Sequence, residues 1–191
     1  MLIYVGLSAA GEPLSAPVPD ASFEIGTTSD PGAIWDPAPV DLPADMLAIP
    51  DLNVRADIVT SGLGLQGEMI LPRPDKVSHF TNTVQFGGVE GTNLVAGHMD
   101  DGVRTHGALW PLHQIKPGTP IYVTDDSGSM FVYHAASLAL YEKAALPADV
   151  FSDVGAPRLV LVSCGGARVP DPTLPSGFTY EQNLVVTAVP G

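Results

Sequence analysis

The stretch Arg158-Leu-Val-Leu-Val-Ser-Cys164-Gly-Gly166 is an apolar run that ends on the only cysteine of the chain. A second apolar run, Thr92-Asn-Leu-Val-Ala-Gly-His98, ends in the same way on a histidine. Short apolar runs next to glycine are typical of buried strands, so both side chains are expected where a strand gives way to a loop. A thiol and an imidazole that meet at such ends form the two halves of a thiolate–imidazolium catalyst.

The sequence around these runs predicts an all-β domain. The 191 residues include 19 prolines and 20 glycines, which favours many turns and few long helices. Residues 52–58 alternate apolar and polar side chains, as in a half-buried strand. Further strands are predicted at 68–71, 121–124, 130–141, 159–163 and 184–188, and short helical turns at 105–115 and 148–153. Seven or eight strands with short connections indicate a closed barrel or a sandwich.

Two segments differ in composition. Residues 1–47 are rich in Pro, Ala, Asp and Ser and lack periodicity, so they are predicted to form an extended linker whose order the sequence leaves open. The compact domain is expected at 48–191. Residues 1–10 are apolar but too short to span a bilayer, and they lack the basic start of a signal peptide. Whether they are the tail of a truncated membrane anchor stays open.

The charge of the chain excludes some partners. It carries 8 basic and 21 acidic residues, a net charge of −13, which repels nucleic-acid phosphates and anionic lipid head groups. A single cysteine forms no internal disulfide, so the domain does not require an oxidising compartment. His106 and His113 do not have the spacing of a zinc motif, and neither a metal nor another cofactor is predicted.

Several motifs, in the same order along the chain, resemble the sortase family. They are Ile49-Pro50, Leu94-Val-Ala-Gly-His98, Ala108-Leu-Trp110, Lys116-Pro117-Gly118 and Leu161-Val-Ser-Cys164-Gly-Gly166. The ending Tyr180-Glu-Gln-Asn183-Leu-Val-Val186 is similar to the last barrel strand of that family. The closest resemblance is to the class F sortases of actinobacteria, and it spans about residues 49–189.

This resemblance implies a closed eight-stranded β-barrel with the activity of a cysteine transpeptidase. Such an enzyme cleaves an LPXTG-like sorting motif near the C-terminus of a secreted protein through a thioacyl intermediate. It then transfers the acyl group to an amine of a peptidoglycan precursor or a pilin lysine. By position, Cys164 is the nucleophile, and His98 is its charged partner and the acid that protonates the leaving amine. The resemblance further implies no cofactor, a place on the outer face of the cell envelope, and a monomer.

The sequence departs from the family pattern at one catalytic position. Sortases carry an arginine on or just before the last strand, where this chain has Glu181-Gln-Asn183. Arg168, four residues after Cys164, is the candidate to replace it as the oxyanion donor, because a guanidinium donates paired hydrogen bonds. Arg104 is a weaker candidate. In a second interpretation, Arg168 only offsets nearby acidic side chains.

The remaining predictions concern the substrate. The side chains expected to contact it are those of His79, Val95, Ala96, Val162, Ser163 and Asn183, with His79 placed in a loop near the active site. Small apolar surfaces at Val95, Ala96 and Val162 are expected to select the threonine of the motif. Two alternatives to a transpeptidase stay open. One is a sortase-like barrel that binds a peptide or protein without turnover, which the missing arginine favours. The other is a simple cysteine hydrolase, in which water resolves the intermediate.

Overall fold

The computed structural model describes residues 41–65, 68–100 and 106–191, together with the backbone of Phe23 and Glu24. Most of the predicted linker at 1–47 and the candidate Arg104 lie outside these residues. The described part of the chain is built from strands and three 3₁₀ helices. None of its helices is long and apolar enough to cross a membrane.

The strands are numbered here in chain order. They are β1 (Phe23–Glu24), β2 (Met46–Ile49), β3 (Val54–Ser61), β4 (Val77–Phe80), β5 (Thr92–Gly97), β6 (Pro120–Thr124), β7 (Met130–Glu142), β8 (Arg158–Pro170) and β9 (Phe178–Pro190). The 3₁₀ helices span Pro50–Leu52, Trp110–Gln114 and Ala148–Phe151.

Eight of the strands close into a barrel. They follow the order β7-β6-β2-β3-β4-β5-β8-β9, and β9 pairs back onto β7. The two-residue strand β1 adds to the free edge of β7. The pairs β3–β4 and β5–β8 are parallel, and the other pairs are antiparallel. The predicted all-β fold with a closed eight-stranded barrel is thus confirmed.

The alternation of side chains along β3 distinguishes the two faces of the barrel wall. Val54, Ala56 and Ile58 are buried, whereas Arg55 and Asp57 between them are exposed. Successive side chains of a strand point to opposite faces, and directly paired residues share a face. The register of each pair therefore assigns every strand residue to the inner or the outer face. The inner face forms the core and includes Leu47, Ile49, Val77, Val95, Ile121, Leu161 and Val186, all fully buried.

Some elements differ from the sequence prediction. The region between Cys164 and Asn183, expected as a loop, is mostly a β-hairpin, because β8 and β9 stay paired as far as Pro170 and Phe178. The predicted strand at 68–71 is reduced to one isolated bridge between Leu63 and Met69. Pro72 and Pro74 follow at once, and proline has no backbone N–H with which to extend a ladder.

Candidate active site

Cys164 lies on the outer face of the barrel wall, near the middle of β8. It pairs with Asn183 of β9, and the neighbours Leu184 and Val186 belong to the buried inner face. Since inner and outer side chains alternate, Asn183 and Cys164 both point outward. Both side chains are nevertheless fully buried, and the thiol is free of any disulfide.

The parallel strands β5 and β8 bring His98 next to Cys164. Ala96 pairs with Val162, and the Ser163 hydroxyl donates to the Gly97 carbonyl oxygen over 3.0 Å. Continuing this register by two residues places His98 beside Cys164 on the outer face. Neighbouring strands lie about 4.8 Å apart, so His98, directly after β5, lies next to Cys164. The prediction that Cys164 ends a strand is wrong, because β8 continues past it, paired with β9, as far as Pro170.

The hydrogen bond of His98 determines which ring nitrogen can exchange a proton. Nε2 lies 2.9 Å from the carbonyl oxygen of Pro72, and because a carbonyl only accepts, Nε2 carries the proton. Nδ1 is buried and has no hydrogen-bond partner among the described residues. Burial lowers the pKa of His98. The resting imidazole is therefore neutral, and its Nδ1 holds a free lone pair.

The thiol is also uncharged at rest. Burial raises the pKa of Cys164 from 9.0 to about 11, although the positive charge of Lys143 opposes part of that rise. A buried thiol favours its neutral form because the thiolate loses solvation. Both pKa shifts therefore favour a neutral thiol and a neutral imidazole at rest, whereas the resemblance implies a charged His98 beside the thiolate.

Three of the residues predicted to contact the substrate share the outer face with Cys164. Ala96 and Val162 are adjacent across the β5–β8 pair, and both are fully buried. Asn183 lies opposite Cys164, and neither its amide nitrogen nor its amide oxygen has a hydrogen-bond partner among the described residues. These three side chains place a small apolar surface and one polar group on the face that carries the sulfur.

The other three predicted contact residues point inward. Val95 pairs with His79 and with Leu161, all on the inner face, and Ser163 pairs with the inward Leu184. His79 lies in strand β4 rather than in a loop. Its Nε2 contacts the Val84 carbonyl oxygen at 3.1 Å, and its ring lies 4.5 Å from that of Phe86.

His79 lines a cavity of about 400 Å³ that is formed by different strands from those at the thiol. The cavity is enclosed by β3, β4, the loop after β4 and the β6–β7 turn, and neither Cys164 nor His98 contributes to it. The structure therefore does not bring His79 to the Cys164–His98 pair.

Arg168 lies on the opposite face of the hairpin from Cys164. It pairs with Tyr180, an inward residue, because β8 has one extra residue between Gly165 and Arg168. Its Nη2 donates to Asp100 Oδ2 over 2.7 Å, and its Nε donates to the Tyr180 hydroxyl over 3.1 Å. The guanidinium also stacks 4.5 Å from the centre of the Phe178 ring. These contacts hold Arg168 away from the face that carries the sulfur.

Arg168 lines one side of a second cavity, of about 530 Å³, on the inner face of the barrel wall. Its lining is mainly apolar and consists of Met99, Trp110, His113, Leu138, Leu140, Gly165, Gly166, Arg168, Tyr180 and Leu184. Because Gly165 lines this cavity and Cys164 points to the other face, the β8 backbone separates the cavity from the thiol.

Lys143, which follows β7 on the outer side, was not predicted from the sequence as a functional residue. Its Nζ donates to Thr179 Oγ1 over 2.5 Å. Thr179 lies four residues before Asn183 along β9 and therefore shares its outer face. Lys143 is the only lysine or arginine between Lys116 and Arg158, and this isolation was the one feature of the sequence that pointed to it.

Comparison with known proteins gives a consistent result. Residues 47–190 match the family profile described as "Sortase domain". Among solved structures, the chain is similar to the pilus island 1 sortase C2 of group B Streptococcus, with 19% identity, a TM-score of 0.57, and coverage of 76% of this chain and 72% of that chain. Sortase C-1 from Actinomyces oris is 20% identical, with a TM-score of 0.57 and coverage of 76% of this chain and 70% of that chain. Sortase A from Corynebacterium diphtheriae is 16% identical, with a TM-score of 0.58 and coverage of 79% of this chain and 62% of that chain. No curated protein sequence matches significantly.

Proposed function

The chain belongs to the sortase family of cysteine transpeptidases, and we propose that it cleaves an LPXTG-like sorting motif and transfers the acyl group to an amine. The observation that supports the proposal is the position of Cys164, within β8, beside His98, which directly follows the parallel strand β5. The unpartnered Nδ1 of His98 adds the proton acceptor that this chemistry requires.

The reaction follows from the resting protonation states. Nδ1 of His98 takes the proton of the Cys164 thiol, and the thiolate attacks the threonine carbonyl carbon of the motif. A C–S bond forms while the carbonyl π electrons move to oxygen. The tetrahedral intermediate then collapses, the C–N bond breaks, and the imidazolium gives its proton to the leaving amine. The acceptor amine attacks the thioester in the reverse sense, passes a proton to Nδ1 and releases Cys164 as the thiol.

The outer face of β5 and β8 is proposed as the substrate surface. Ala96 and Val162 are small and apolar and lie next to the sulfur on that face, so they suit the side chain of the motif's threonine. Because the thiol is fully buried in this conformation, the outer face has to open before a peptide reaches it. The oxyanion role predicted for Arg168 requires its guanidinium to leave Asp100 and turn to the other face.

We also propose a place for this enzyme among the sortases. The Cys164-Gly-Gly166 motif and the ending Asn183-Leu-Val-Val186 favour class F. The proposed partners are a secreted protein with a C-terminal sorting motif and an amine of a peptidoglycan precursor or pilin lysine. The proposed location is the outer face of the cell envelope, where both partners occur, and the proposed active form is a monomer.

The test is to follow sorting-motif peptides with and without an amine acceptor. Mass spectrometry of the wild-type chain should show a thioacyl adduct on Cys164, and addition of oligoglycine or diaminopimelate should give a ligated product. Cys164→Ala should abolish the adduct, and His98→Ala should reduce it at least a hundredfold. His106→Ala, an exposed histidine, is the matched control.

The outcomes separate the three candidate functions. Release of the free acid without ligation in the presence of acceptors supports a hydrolase. Peptide binding without an adduct supports a binding module. Cleavage that persists in Cys164→Ala contradicts the proposed mechanism.

A further inference from the structure

We propose that the side-chain amide of Asn183 donates the hydrogen bond that stabilises the oxyanion in this enzyme, a role that the sequence analysis gave to an arginine. The inference rests on the proposed function, because it requires Cys164 to attack a carbonyl carbon. It assigns Asn183 as a catalytic residue that touches the reacting oxygen, beyond the general substrate contact predicted from the sequence.

The position of Asn183 is the first argument. It is the direct antiparallel partner of Cys164, and Cα atoms in such pairs lie about 4.5–5.5 Å apart. Both side chains point to the outer face. A carbonyl carbon bonded to Sγ therefore places its oxygen within the range that a carboxamide on the neighbouring strand can cover.

The hydrogen bonding of Asn183 is the second argument. Its amide is fully buried, and neither Nδ2 nor Oδ1 has a partner within the described part of the chain. Buried polar side chains nearly always have partners, since an unmade bond destabilises the fold. An amide kept unpartnered next to the nucleophile is prepared to bind a group that arrives with the substrate.

The alternatives on β9 and β8 are excluded by their faces or charges. Gln182 points inward, and its Nε2 donates to Glu142 Oε1 over 3.0 Å. Glu181 is a carboxylate that repels an oxyanion, and Arg168 is held on the inner face by Asp100. Among the three residues at the expected arginine position, Asn183 alone combines a donor with the face of the thiol.

The chemical step needs no further reactant. As the Sγ–C bond forms, the carbonyl π electrons move to the oxygen, and the Nδ2–H group donates to that oxygen without transferring its proton. When the intermediate collapses, the oxygen electrons restore the C=O bond and the C–N bond breaks. The hydrogen bond strengthens only as charge develops on the oxygen, so its loss should lower kcat and leave KM nearly unchanged.

The experiment compares acylation with alkylation of the same sulfur. Cys164 is acetylated with p-nitrophenyl acetate, a reaction that passes through an oxyanion, and alkylated with iodoacetamide, a displacement that does not. Cys164→Ala gives the background of both assays. In Asn183→Leu we expect acetylation about 100- to 1000-fold slower and alkylation within about threefold of wild type.

A stability measurement separates this role from a structural one. Leucine replaces an unpartnered buried amide with an apolar group of similar size, so the thermal midpoint of Asn183→Leu should equal or exceed that of the wild type. If this variant does not fold, Asn183→Ala carries the same acylation test. Equal acetylation rates in wild type and the Asn183 variants overturn the inference.

Peptide cleavage distinguishes this inference from the proposed function. If the wild type cleaves sorting peptides and Asn183→Leu cleaves them equally fast, the role of Asn183 is overturned and the proposed function stands. A wild-type chain whose acetylation depends on Asn183, but which cleaves no peptide, supports the inference and contradicts the transpeptidase. Acetylation of wild type no faster than that of Cys164→Ala overturns both.

Discussion

Burial of the Cys164 thiol should make the stability of the fold decrease above pH 9. The thiol has a pKa of 9.0 in an unfolded chain and about 11 in the folded one. Between these values the unfolded chain releases the thiol proton while the folded chain keeps it, so deprotonation favours unfolding. The stabilisation is complete below pH 9 and is lost as the pH rises through 11.

The size of the effect follows from the two pKa values. One unit of difference corresponds to about 1.4 kcal/mol. The free energy of unfolding should therefore fall by about 1 kcal/mol at pH 10 and about 2 kcal/mol at pH 11 through this group alone. Burial also raises the pKa values of Tyr122, Tyr133 and Tyr180, so the wild-type curve by itself does not isolate the thiol.

A comparison with Cys164→Ala isolates the contribution. Both chains are unfolded with urea under reducing conditions at several pH values from 7 to 11, and the difference between their free energies is plotted against pH. Groups common to both chains cancel. The free energy of unfolding of the wild type minus that of Cys164→Ala should be constant below pH 8 and should then fall by about 2 kcal/mol by pH 11. If this difference does not change with pH, burial does not raise the pKa of the thiol. If the difference rises with pH, the thiol is a thiolate in the resting protein.

Three further predictions follow from the contacts around the site. Lys143→Gln should slow iodoacetamide alkylation of Cys164 at pH 8 by roughly two- to fivefold, because it removes a charge that favours the thiolate, and Lys143→Arg should restore the rate. Gly165→Ala should lower the free energy of unfolding in urea by about 1–3 kcal/mol, since its Cβ meets a leucine side chain at 2.6 Å. Arg168→Gln and Asp100→Asn should each lower the free energy of unfolding, and the double variant should lose less than the sum of the two, because the side chains form one ion pair. A loss of kcat in Arg168→Gln without a loss of stability supports the oxyanion role of Arg168 instead.

The parts of this fold that the sequence predicted are those with local signals. The apolar runs that lead to His98 and Cys164 are neighbouring strands, although β8 does not end at Cys164 as predicted. The alternation after residue 52 became the half-exposed strand β3. Both depend on neighbouring residues only. Many short strands with few helices left both a closed barrel and a sandwich open, and the closed barrel was implied only by the resemblance to sortases. No local pattern specified that β9 pairs back onto β7.

Arg168 shows why the rest was not predictable. The sequence predicted a loop after Cys164, from which a guanidinium four residues later could reach the thiol, but this segment is part of β8. The extra residue after Gly165 reverses the alternation, and Gly166 at φ +74° provides the left-handed backbone there. A bulge depends on the register of the partner strand, which the sequence of β8 alone does not contain. His79 was misplaced for a related reason, because its short strand lacks alternation.

Because the resting thiol and imidazole are neutral, the site has to fill two roles, which are to favour the thiolate and to donate to the oxyanion. Burial raises the pKa of the thiol to about 11 and lowers that of the imidazole, so both shifts disfavour the ion pair at neutral pH. An arginine near the sulfur both favours the thiolate and donates to the oxyanion, whereas Asn183 is neutral and can only donate. On the outer face, Lys143 supplies a positive charge that favours the thiolate. If the two roles are separate, Lys143→Gln should slow alkylation and acylation alike, Asn183→Leu should slow acylation only, and their effects on acylation should multiply in the double variant.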